Sequence, residues 1–181
     1  MKKNNLITFG LIVSIILNLV LFQNIYNNKE ESRLAHFEEV HNGIRYSYDF
    51  GDTLSQKYNR LTLDEKVEYL TAMHWSLTLS AWTLEDIKPD DKEYSNLVNL
   101  LSIYSHIPTE LKEMIRKNYT EEEVLDLLNI WLKDINKIIE NFNYIQLSKV
   151  NDKELLGNLK SLLNSLEYNN ESLEQYKQSL N

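Results

Sequence analysis

Apolar residues recur every three and four positions along three long stretches, a beat that admits little besides helices packed along their lengths. The first stretch runs Leu63, Val67, Leu70, His74, Leu77, Ala81, Leu84. The second is Val124, Leu128, Trp131, Ile135, Ile138, Phe142, Ile145, and the third is Leu155, Leu159, Leu162, Leu166, Asn169, Leu173, Tyr176, Leu180. At 1.5 Å per residue these stretches would extend about 33 to 39 Å. Trp75, Leu79 and Trp82 flank the first stretch and Leu125, Leu132 and Ile139 the second, giving faces wide enough for a bundle rather than a two-stranded coiled coil. Four Gly and two Pro in 181 residues leave few breaks, which disfavours β structure.

Helix starts are marked by one recurring chemistry. Thr62 with Glu65, Asp90 with Glu93, Thr120 with Glu123 and Asn151 with Glu154 each set an N-cap acceptor three residues before a Glu that can reach back. Glu121, Glu122 and Glu123 crowd one first turn, where the positive end of the helix dipole stabilises them. The stretch from Glu30 to Arg60 carries a weaker stripe of Leu34, Phe37, Val40, Ile44, Tyr48, Leu54 and Tyr58, and Gly43 and Gly51 predict a bend or break near Asp49 to Asp52. Pro108 predicts that 90–105 and 109–117 form a short hairpin on the side or end of the bundle. Asn169 either fixes register in the third stripe or marks a break at Tyr168 to Asn170. The fold class expected is all-α: one transmembrane helix, then an antiparallel bundle of about four long helices plus that hairpin.

The transmembrane expectation rests on Leu6 to Phe22, 17 nearly unbroken apolar residues after Lys2 and Lys3. Extended to Tyr26, the run reaches the roughly 20 residues that cross a bilayer as a helix. No small-residue cleavage site follows soon after it, and no Cys exists for lipid attachment, so the anchor is read as uncleaved. A pilin-type amino terminus would place an acid five residues into the apolar segment, whereas Gly10 is followed by LIVSI. The organisation expected is therefore a basic cytoplasmic tail at 1–5, a span at 6–26 and an extracytoplasmic domain at 27–181, in the cell membrane with a single pass. Gly10, Ser14 and Asn18 fall on one face of the span and make a candidate pairing surface for a homodimer.

Charge narrows the partners. Residues after the span hold 27 acidic against 17 basic side chains, a net of −10, which disfavours nucleic acid and anionic lipid surfaces. The scarcity of Ala and Arg, together with abundant Asn, Lys, Ile and Tyr, follows AT-rich codons and suggests a low-GC bacterium.

Chemistry is sparse. Glu38 and His41 supply half of the carboxylate–histidine pattern that bundles use for paired metals, and no second half is found. His74 sits in the first stripe beside Trp75, where a buried imidazole would titrate near neutral pH or simply bond a neighbour such as Thr78. No nucleophile motif and no phosphate loop are present, so no catalytic residue, cofactor or metal is assigned. The expectation is a membrane-anchored acidic helical domain acting as an interaction or accessory module of the bacterial envelope, with another envelope protein as partner. A ligand or stress sensor signalling through a partner is the alternative, and an envelope enzyme the third.

Overall fold

Two of the four capping pairs start helices in the way their spacing predicts. Thr62 donates its backbone N–H and its hydroxyl to Glu65 at 2.7 and 2.8 Å, and Thr120 does the same to Glu123 at 2.9 and 2.8 Å. These bonds hold both carboxyls below the usual carboxylate range. The computed structural model describes residues 34–87, 92–141 and 152–180, so the pairs at Asp90 and Asn151 lie outside the described residues.

Among the described residues every regular element is helical. Helix α1 covers 34–57 and ends in a 3-10 turn, Tyr58–Arg60; α2 is Leu63–Ile87 and α3 is Lys92–Arg116. Helix α4 is Glu121–Asn141, α5 is Asp152–Ser165 and α6 is Glu171–Ser179. The all-helical bundle is thus as expected. The chain divides into two units, 1–35 and 36–181, and the bundle is the second.

The 3-10 turn reverses the chain, and α2 returns antiparallel along α1, with Ser47 donating to the Met73 carbonyl and Ser80 to that of Val40. Helix α3 packs against α2, α4, α5 and α6. It ends in a Schellman turn: Asn118 takes φ 58°, Tyr119 N–H reaches the Met114 carbonyl and Asn118 N–H that of Ile115. The core gathers Phe37, Val40 and Ile44 of α1, Leu70, Met73, Leu77 and Leu84 of α2, Leu97, Leu100, Tyr104 and Leu111 of α3, Trp131 of α4, and Leu159 and Leu173 beyond.

Several expectations fail, each for a physical reason. Helix α1 does not break at its glycines. They serve as sites of close approach instead: a Cβ on Gly43 would overlap Ser80 Oγ, and one on Gly51 would stand 2.8 Å from the Trp131 ring and 3.1 Å from Leu132 and Met73. The hairpin at 90–117 is one continuous helix through Pro108, and it is central rather than peripheral. The third stripe, conversely, is broken at 166–170 into α5 and α6, which supports the reading of Asn169 as a break marker. In α2 the expected seam holds at Leu70, Leu77, Ala81 and Leu84, all buried, but Met73 and Ser80 join it while Leu63 is 55% exposed and His74 only half-buried. Trp75, Leu79 and Trp82 do not widen the buried face at all.

Among the described residues no helix is long and apolar enough to cross a membrane. The expected span at 6–26, with Gly10, Ser14 and Asn18, lies outside the described residues.

Candidate functional site

Two places carry side chains where helix packing alone would not put them, one inside the bundle and one outside. The inner one begins at Pro108. Proline has no N–H to give the carbonyl four residues back, so a mid-helix proline leaves an acceptor to be satisfied from elsewhere. Trp131 Nε1 on α4 donates to that Tyr104 carbonyl at 3.1 Å. The next carbonyl, Ser105, is 2.7 Å from His74 Nδ1 on α2. A carbonyl only accepts, so Nδ1 carries the proton in this pair. His74 thus bonds a backbone oxygen of α3 rather than Thr78, with His106 nearby at 6.3 Å between ring centroids.

On α4, three residues after Trp131, stands Asp134, which is 0% exposed. A buried carboxylate is tolerated when its oxygens are filled by donors. Tyr104 Oη donates to it at 2.7 Å, Glu167 N–H at 2.9 Å and Tyr168 N–H at 2.8 Å, with Lys137 Nζ at 3.5 Å. Burial and the neighbouring Asp134 charge push the Tyr104 phenol far up. The loop 166–170 is held from outside as well, by Lys133 and Lys137 on Glu167 at 3.1 and 3.2 Å. Those bonds hold the exposed Glu167 carboxyl below its usual range. Tyr168 Oη donates to Glu110 at 3.0 Å, and burial followed by that carboxylate raises its phenol to about 12. Asn170 caps α6 by accepting from Leu173 N–H at 2.8 Å. Chemically, Asp134 is a tether: its acceptor positions are occupied by protein donors, and what they fix is the α5–α6 loop.

The outer place is α2. Trp75, Leu79 and Trp82 are 48%, 53% and 53% exposed, and the two indoles meet edge to face at 6.1 Å. They lie opposite the buried seam, so α2 is apolar on both sides. A helix apolar all round belongs in an interior. The run from Tyr69 to Leu84 holds no Asp, Glu, Lys or Arg, although residues 27–181 carry a net −10.

Other candidates are weaker. Among the described residues no three His, Asp or Glu side chains converge as a metal site; Glu38 is exposed on α1 while His41 is buried. A groove of about 620 Å³ lined by Tyr48, Asp126, Asn129, Ile130, Lys133 and Asn136 opens broadly to solvent and lies on other residues than His74 and His106. Apolar spacing marks Trp75 and Trp82 but assigns them to the core, and it leaves Asp134 unmarked. The signal for Asp134 was available: it falls between Trp131 and Ile138 and beside Ile135, one position off a buried stripe. No protein-family model, no curated protein and no solved structure matches the chain.

Proposed function

We propose that this chain is a membrane-anchored interaction module of the bacterial envelope, whose acidic helical domain stands outside the cytoplasm and docks another envelope protein. One observation carries the reading: Trp75, Leu79 and Trp82 stand about half exposed on the outward side of a helix whose other side is buried. Clustered exposed tryptophans are costly to leave in water and are the residues on which protein interfaces concentrate their binding energy. Anchoring by residues 6–26, with residues 1–5 in the cytoplasm, is supported by the length of the apolar run and its preceding lysines. Gly10, Ser14 and Asn18 would add a pairing face within the span.

The test is affinity purification of the full-length chain from its own membranes in mild detergent, beside the W75Q/W82Q double variant. The expected result is a defined envelope protein enriched with the native chain and lost with the variant. Equal recovery of the same proteins by both chains would overturn the reading.

A further inference from the structure

We infer that the outward side of α2 is a helix-docking seam whose occupant is an amphipathic helix of another protein, with apolar residues in heptad spacing and Lys or Arg at both ends. The inference rests on the interaction reading and names the partner chemistry for that surface. Three observations lead to it.

The first is spacing. Ala72, Trp75, Leu79 and Trp82 follow one another at three, four and three residues, and Glu68 and Asp86 extend the row by four at either end. Leu70, Met73, Leu77, Ser80 and Leu84 on the opposite side, at three, four, three and four, pack against the bundle. Helix α2 therefore carries two seams of the same period, one filled by its own chain and one open. A 3-4 row of apolar knobs is what a second helix lying along the first accepts.

The second is charge. The apolar row is bracketed by acids that are all exposed: Asp64, Glu65 and Glu68 before it, Glu85 and Asp86 after it. The one cation of α2, Lys66, is drawn away over the Tyr58 ring at 3.7 Å. A helix with basic ends would pair with both brackets and an acidic one would be repelled. A second copy of this chain is disfavoured on the same ground. Overlapping the full seam sets Glu68 on Glu68 and Asp86 on Asp86 in parallel, or Glu68 on Asp86 in antiparallel orientation.

The third is area. Three large side chains about half exposed offer roughly 300 Å², well below the roughly 800 Å² per partner of a standard globular interface. One helix fits that footprint, with the acids supplying orientation and the tryptophans most of the affinity.

The test uses the full-length chain in nanodiscs of zwitterionic lipid and two synthetic helical peptides. Both carry Leu at four successive heptad positions; one ends in Lys pairs and the other in Glu pairs. The Lys peptide is expected to bind with a dissociation constant on the order of 10 μM, and the Glu peptide about tenfold more weakly or worse. E68K/D86K is expected to reverse that order, and W75Q/W82Q to weaken the Lys peptide by about tenfold. All four residues are solvent-facing, so unchanged helical circular dichroism is expected in both variants. Equal affinity for the two peptides, or indifference to W75Q/W82Q, overturns the inference. In native membranes a photo-cross-linking residue replaces Leu79, Tyr46 or Asn136 in turn. A protein adduct from position 79 whose cross-linked segment is an amphipathic helix with basic ends supports the seam, and an adduct to an acidic segment overturns it. An adduct from 46 or 136 alone overturns the seam and leaves the interaction reading standing, a self or lipid adduct at 79 overturns the seam, and no adduct anywhere overturns both.

Discussion

Helix α4 takes a carboxylate into the core, while α2 holds two tryptophans out in solvent. Both break the rule that apolar groups go in and charged groups stay out, and they break it in opposite directions. For Asp134 the chain supplies the remedy itself, with Tyr104, Glu167 and Tyr168 all donating to it. For Trp75 and Trp82 the described residues supply each other and the edge of His74, and leave about half of each indole exposed. An exception satisfied within the fold is a stability device; one left open is the surface on which the proposed docking rests. The contrast makes substitution effects at the two places diverge.

The largest effect is expected at Asp134. Asp134→Ala strands a buried phenol, the buried Tyr168 N–H and the part-buried Glu167 N–H and should cost about 3–5 kcal/mol, read as a lower urea midpoint. Asp134→Asn keeps an acceptor and should lose less. Next comes Gly51→Ala, whose methyl would press on Trp131, Leu132 and Met73; about 1–3 kcal/mol of destabilisation is expected by the same measurement. A neutral result there would show that α1 and α4 can move apart and that the core around Asp134 is softer than its hydrogen bonds suggest.

Acid sharpens the contrast from the carboxylate side. The Glu65, Glu123 and Glu167 carboxyls are all held below the ordinary 4.5. Groups whose folded pKa is depressed contribute stability above their unfolded pKa and lose it as pH falls through the folded value. Melting temperature should therefore hold near neutral pH and fall as pH drops below about 4.5. Combining Thr62→Val with Thr120→Val should lower it at pH 7 and shrink the further acid loss. The smallest stability effect belongs to W75Q/W82Q, expected within about 0.5 kcal/mol of the native chain. A substantial loss there would mean that the two indoles stabilise the bundle itself, and the comparison with Asp134 would collapse.

The helical class and most buried positions were legible because a stripe repeated over three heptads outweighs any single residue. Leu128, Trp131, Ile135, Leu159 and Leu162 are buried where the spacing put them. What spacing could not convey was which of two apolar rows on α2 faces inward. Rows such as Leu70–Met73–Leu77 and Ala72–Trp75–Leu79 obey one period, and the choice is made by contacts distant in sequence: Ser80 fits against Gly43, and Ser47 bonds the Met73 carbonyl. Gly43, Gly51 and Pro108 misled for one shared reason. Each looks like local punctuation but answers a tertiary need, a near neighbour for the glycines and a donor from another helix for the carbonyl behind the proline. The break at 166–170 is likewise paid from α4, by Asp134.

Pro108 also bears on how the bundle assembles. An interior proline costs an isolated helix about 3 kcal/mol; in α3 the carbonyl it leaves without a partner is filled by Trp131, later in the chain, and His74, earlier in the chain, bonds the next carbonyl along. The central helix is thus a poor nucleus by itself. It becomes stable only as α2 and α4 close upon it, which ties three helices into a single cooperative step and leaves little room for a partly formed bundle.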